Sequence, residues 1–175
     1  MKRLALAAAL VLGADQLSKW LVGQHLALGQ SVRVIGELVR LVHVRNAGAV
    51  FGLFPGNRAF FIALSIVSIV AIIGLSLSRR FTFPGSRLGF GVVLGGALGN
   101  LVDRLGIGLV VDFIDIGLGS LRWPTFNVAD IGITLGVLYL AVRFAWPLGE
   151  ARTPERGGRD LGAAPGGRGR PPIPG

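Results

Sequence analysis

Four of the chain's nine acidic side chains, Asp103, Asp112, Asp115 and Asp130, lie in one stretch, Gly95–Asp130, built otherwise mainly of Gly, Leu, Val, Ile and Phe. Asn100, Arg104 and Asn127 share it. Ionised groups in apolar surroundings are expensive, so their presence points to a function. Two carboxylates brought together cannot both ionise easily; one pKa rises and the pair holds a shared proton near neutrality. Asp112 and Asp130 are the leading pair. The ionised member can take a proton from water, while the protonated member polarises a carbonyl and later protonates a leaving amine. That is amide hydrolysis without a metal or a covalent intermediate. Each residue also has a purely structural reading. Asn127 and Asp130 are spaced as N-cap and N3 of a capping box, and Asp112 reads as a solvated loop carboxylate. Asp112-x-x-Asp115 is alternatively a pair of oxygen ligands for Mg²⁺ in lipid phosphoryl or prenyl chemistry, although no second carboxylate cluster accompanies it.

Around this pair stand residues that must position it or its substrate. Asn100 and Arg104, four apart, share a helix face. They either donate to substrate backbone carbonyls or form an internal network in which Arg104 neutralises Asp103 or a catalytic carboxylate. Asp15 and Lys19 are also four apart, which reads as a helix ion pair with Lys19 snorkelling outward. Asp115 reads as capping a loop. His25 and His43 show no ligand spacing and are assigned to surface or sheet.

The elements carrying these residues belong to a membrane. Of the 175 residues, 51% are hydrophobic and 15% charged, against about 25% charged in soluble domains. Residues 59–78 carry no charge, and twenty residues at ~1.5 Å rise cover the hydrocarbon thickness. Further helices are expected at about 4–24, 88–105 and 128–147. The first could be a cleaved signal peptide, but apolar residues resume at Leu17 and favour a retained helix. Gly91, Gly95 and Gly99 recur every four residues, a spacing that lets helices approach closely in lipid. Ser31–Arg45 is rich in β-branched residues and reads as a hairpin or small sheet between helices 1 and 2, followed by a Gly-rich turn ending at Pro55-Gly56-Asn57. Residues 106–127 read as a loop with one β-like segment, Leu109–Ile114, and Trp123-Pro124 as an interfacial anchor and turn. The expected fold is thus an all-α membrane domain over residues 1–149 with a small extracytoplasmic sheet. Residues 150–175, rich in Arg, Gly and Pro, read as a disordered tail.

Four spans put both termini on one side. With that side cytoplasmic, eleven Lys and Arg lie inside and six outside, which favours this orientation. Residues 25–57 and 106–127 are then extracytoplasmic, and Asp15, Lys19, Asn46, Asn100, Asp103, Arg104, Asp112, Asp115 and Asp130 converge at the depth of the outer leaflet. The net charge of +9 reads as membrane topology rather than nucleic-acid binding. The absence of cysteine excludes disulfides and leaves a zinc site short of its usual ligands.

Five blocks occur in order: DQLSK (Asp15–Lys19), NAGAVFG (Asn46–Gly52), GALGNLVDRL (Gly96–Leu105), VVDFID (Val110–Asp115) and FNVAD (Phe126–Asp130). Over roughly residues 4–147 the chain resembles the bacterial lipoprotein signal peptidases, or signal peptidase II. The resemblance implies an aspartic endopeptidase of the bacterial plasma membrane that removes signal peptides from diacylglyceryl-modified prolipoproteins, cutting on the amino side of the lipidated cysteine. It implies a dyad at Asp112 and Asp130, with Asp15, Lys19, Asn46, Asn100, Asp103, Arg104 and Asn127 as the other polar positions. The Ser31–Arg45 sheet would be a cradle over the substrate. No metal or cofactor is expected; prolipoproteins and membrane lipids are the expected partners, and the working form a monomer. The rival readings are a small proton-coupled transporter relaying through Asp15, Asp103 and Asp130, a scaffold packing through the glycine face, and a metal-dependent lipid transferase.

Overall fold

The computed structural model describes residues 1–48 and 57–146; the expected tail at 150–175 and most of the turn before Asn57 lie outside these. Four helices, α1 (Lys2–His25), α2 (Arg58–Leu77), α3 (Ser86–Gly106) and α4 (Val128–Ala145), are each long and apolar enough to cross a membrane. Their bounds fall within two residues of the expected ones. The helices show large apolar side chains outward, among them Leu10, Val67, Val70 and Leu138. This is the surface expected of a chain whose solvent is lipid.

α3 is the central helix, and most of its residues are buried. Its packing against α1 depends on missing side chains. A Cβ on Gly91 would run into the Leu4 carbonyl, and one on Gly95 into the Ala8 carbonyl. The glycine stripe is thus used inside the chain and leaves no free face for a scaffold to exploit. Leu4 and Ala8 of α1 pack with Phe90 and Leu94 of α3, and Ile69 and Ile72 of α2 and Leu140 of α4 close this apolar cluster.

The remaining elements form one antiparallel sheet, in the order β1 (Ser31–Ile35), β2 (Val39–Asn46), β3 (Val110–Leu118) and β4 (Leu121–Arg122). This corrects two expectations. The fold is not all-α, and half of the sheet follows α3 instead of lying between α1 and α2. The β-like segment expected at Leu109–Ile114, which holds Asp112, is a strand that runs on to Leu118 and takes in Asp115, expected in the loop. On β2, Val42 and His43 stand opposite the single residue Phe113, since Leu41 pairs with Ile114 and Val44 with Asp112. Such a bulge sharpens the local twist beside the paired carboxylate. After β4 the chain turns back on β3: the Phe126 carbonyl accepts from the backbone N–H of Phe113 and Ile114, at 3.0 and 2.8 Å. That bridge delivers Asn127, the first residue of the α4 cap, beside Asp112.

Candidate active site

The polar residues picked out from the sequence gather at the end of the bundle that bears the sheet. Asp112 is buried, with 2% of its surface exposed. Asn46 lies two residues along β2 from the Asp112 partner Val44, so it occupies the same face; its Nδ2 donates to Asp112 Oδ2 at 2.9 Å. Asn127 Nδ2 donates to the other oxygen at 2.7 Å. Asn127 Nδ2 also lies 3.1 Å from Asn100 Oδ1, and Asn100 Nδ2 donates to Asp130 Oδ1 at 2.8 Å. The two carboxylates are thus joined through two carboxamides supplied by α3 and the α4 cap. Burial, with the nearby Asp130 charge adding to it, pushes the Asp112 carboxyl up to about 6, while the bonds from Asn46 and Asn127 and the Lys19 charge work against the rise.

The capping box also exists, and it does not compete with this arrangement. Asp130 N donates to Asn127 Oδ1 at 3.0 Å, and Asn127 N donates to Asp130 Oδ2 at 3.2 Å. One oxygen of Asp130 thus fixes the helix start while the other faces Asn100.

Beneath the pair lies a buried ion cluster. Lys19 Nζ stands 2.8 Å from both Asp15 Oδ2 and Asp103 Oδ2, and 3.2 Å from Asn100 Oδ1. The snorkelling expected of Lys19 is therefore wrong: it is 5% exposed. Two buried carboxylates outweigh the reach to solvent, because either one left unpaired would be costly. Asp15 Oδ1 also accepts from Ala129 N at 2.8 Å, and Asp103 Oδ2 from Val111 N at 3.1 Å. The cluster therefore pins the start of α4 and the start of β3 to α1 and α3. Gly99 permits this approach, since a Cβ there would strike the Asp15 carboxylate.

Arg104 neutralises neither Asp103 nor a candidate catalytic carboxylate by direct ion pairing. Its Nη1 donates to Ser65 Oγ at 3.2 Å and the Asn100 carbonyl at 3.4 Å, and its guanidinium lies over Phe61, 5.7 Å from the ring centre. With Asn100, Ser65 and Ser68 it borders a cavity of about 200 Å³ whose other walls, Phe61, Leu64, Ala97 and Ile133, are apolar. Asp130 borders a second, of about 320 Å³, with Trp123, Phe126 and Leu135.

Asp115 stands apart. Three positions from Asp112 on a strand, it points to the opposite face, where Arg122 Nε lies 2.6 and 2.8 Å from its two oxygens. It holds the β3–β4 turn and is not poised to share a cation with Asp112. Among the described residues no group of three or more His, Cys, Asp and Glu side chains could hold a metal ion. His25 is exposed on α1 and His43 is buried on β2.

Two residues escaped the sequence reading. Gln16 Nε2 reaches Asp103 Oδ1 at 3.0 Å and the Gly99 carbonyl at 3.2 Å, knitting α1 to α3. Arg58 donates to the carbonyls of Arg104 and Leu105 at 3.0 and 2.8 Å, capping the end of α3. Their partners lie far away in sequence; the place of Gln16 between two candidate polar residues in DQLSK was the available signal.

Residues 7–146 match the family model described as Signal peptidase (SPase) II. The chain belongs to the signal peptidase II family. Its curated relatives include a lipoprotein signal peptidase of Moorella thermoacetica, 42% identical over 83% of this chain and 94% of that one. Another, from Brevibacillus brevis, is 40% identical over 75% of this chain and 87% of the other. A solved bacterial membrane enzyme structure, obtained by the in meso method at 2.3 Å resolution, is similar in fold with a TM-score of 0.71, at 30% identity over 81% of this chain and 86% of that one. Membership of the signal peptidase II family makes the chain a protease.

Proposed function

We propose that the chain is an aspartic endopeptidase of the bacterial plasma membrane that removes signal peptides from diacylglyceryl-modified prolipoproteins. It cuts on the amino side of the lipidated cysteine. The observation that carries this reading is the linkage of Asp112 to Asp130 through Asn127 and Asn100, beside two largely apolar cavities at one end of a membrane bundle.

The dyad works with one proton between its members. Its ionised carboxylate takes a proton from water as the water oxygen bonds to the scissile carbonyl carbon. The protonated carboxyl donates to the carbonyl oxygen. Collapse of the tetrahedral intermediate then breaks the C–N bond, and the proton passes to the leaving amine. Asn46 and Asn127 hold Asp112 in position, Asn100 holds Asp130, and Lys19 with Asp15 and Asp103 fixes the elements that carry them. Arg104 and Asn100 offer donors to the substrate backbone. Gaps between the helices accept acyl chains, both termini are cytoplasmic, and the dyad lies at the level of the outer leaflet, where the lipidated cysteine sits.

A proton-relay transporter is not favoured. Among the described residues every buried carboxylate lies at the sheet end, and the opposite end has an apolar core without a relay group.

The test is cleavage of a diacylglyceryl-modified prolipoprotein by the purified chain in detergent containing EDTA. Wild type would cleave, while Asp112→Asn and Asp130→Asn, each checked for folding, would not. Cleavage by either variant removes that residue from the dyad. Failure of well-folded wild type overturns the reading.

A further inference from the structure

The end of the bundle opposite the sheet has a chemistry of its own. Lys2, Arg3, Arg79, Arg80, Arg87 and Arg143 collect there, and none of them makes an ion pair among the described residues. No described carboxylate belongs to the helix ends or the α2–α3 connection that meet at this end. Among the described residues the guanidinium of Arg87 finds only the Met1 sulfur, at 2.7 Å, a weak acceptor for a strong donor. Arg143 Nη2 donates to the Pro84 carbonyl at 3.3 Å, and its guanidinium lies 5.7 Å from the centre of the Phe83 ring. Its Nη1 is buried without a partner among the described residues. A buried guanidinium N–H left unsatisfied is costly and calls for an acceptor.

Two cavities lie at this end, one of them lined by Arg3 and Arg87. One, of about 450 Å³, is bordered by Arg3, Thr82, Ser86 and Arg87, at the start of α3, where no acidic side chain occupies the first turn. The helix dipole favours an anion there. The other, of about 300 Å³, lies among Ile72, Phe90, Val93, Leu140 and Phe144 and is almost wholly apolar. Phe83 lines both, so a headgroup-sized basic hollow adjoins a cavity suited to a hydrocarbon chain.

We propose that this end binds one anionic phospholipid, its phosphate held by Arg3, Arg87 and Arg143 and one acyl chain laid in the cavity between α2, α3 and α4. Forked guanidinium donors suit phosphate oxygens. A zwitterionic lipid fills the apolar cavity equally well but brings an ammonium among uncompensated arginines. The site is separate from the dyad, and its test does not depend on peptidase activity.

Native mass spectrometry of the full chain released from detergent, with added phosphatidylglycerol, phosphatidylcholine or inorganic phosphate, tests it. One phosphatidylglycerol should remain bound at a concentration about tenfold below that needed for phosphatidylcholine, and inorganic phosphate should not displace it. Arg87→Gln combined with Arg143→Gln should bring the two lipids to parity. Arg87→Gln alone, which among the described residues breaks only the hydrogen bond to Met1, should lower the preference several-fold and serves where the double variant does not fold. Leu140→Trp, which fills the cavity, should weaken both lipids alike. Arg33→Gln, in the sheet, should change nothing. Equal binding of the two lipids by wild type, displacement by phosphate, or a preference left undiminished by loss of Arg87 overturns the proposal.

Discussion

The two ends of the bundle treat charge in opposite ways. At the sheet end the buried charges are matched inside the chain: Lys19 meets Asp15 and Asp103, Arg122 meets Asp115, and Asp112 is held by two carboxamides. At the other end six cations make no ion pair among the described residues. Internal matching fixes geometry, because each buried charge depends on its partner's position; unmatched charge confers no internal geometry and is left for a partner outside. Substitutions at the sheet end should therefore alter catalysis and stability strongly, and those at the opposite end should alter lipid contacts first.

The largest expected effect is on turnover. Asp112→Asn and Asp130→Asn should each lower kcat by at least about 10³-fold in a cleavage assay. Asp112→Asn should at the same time stabilise the protein near neutral pH. The carboxyl titrates near 6 in the folded chain, above its ordinary value of 3.8. Its ionisation therefore costs nothing below about pH 4, costs progressively more up to about pH 6, and reaches ~3 kcal/mol above that. Thermal unfolding followed across this range should show the variant drawing ahead of wild type as pH rises.

Lys19→Met should come next, at ~3–5 kcal/mol of lost stability, because it strands Asp15 and Asp103 without a counter-charge. Gly95→Ala should cost ~1–3 kcal/mol by driving α1 off α3; the obstacle is the Ala8 backbone carbonyl, which no rotamer change can relieve. Asn46→Leu sharpens the comparison in another way. It removes a bond that favours the ionised form of Asp112, so the limb of the pH–rate profile set by that carboxyl should move to higher pH. The smallest effect belongs to the other end, where Arg79→Gln should alter stability by no more than about 0.5 kcal/mol.

The sequence was most informative where one physical requirement dominates. Residues 59–78 announce α2 because lipid tolerates no charge along a span, and Asn127 with Asp130 announces the start of α4 because a capping box is local. It was least informative where a residue's role depends on partners distant in sequence. Lys19 four residues after Asp15 looks the same whether the pair faces water or is sealed by Asp103. Arg104 next to Asp103 suggests a pair, yet adjacent helical residues point apart and Lys19 occupies the carboxylate. β3 was read too short because Asp115 and the glycine at 117 interrupt its apolar pattern, and what keeps it extended is pairing with β2, distant in sequence.

The Asp15–Lys19 spacing has a consequence for biogenesis. A chain made from its N-terminus presents α1 to the bilayer before α3 has been synthesised, so Asp103 and Asn100 are not yet there to receive Lys19. Each lone charge at the centre of a span costs ~2.5–3.5 kcal/mol on insertion. Because the two residues sit one helical turn apart and 2.8 Å from each other in the finished protein, α1 carries its own provisional counter-ion. It can enter as a neutral pair and exchange self-sufficiency for a shared cluster once the third helix arrives.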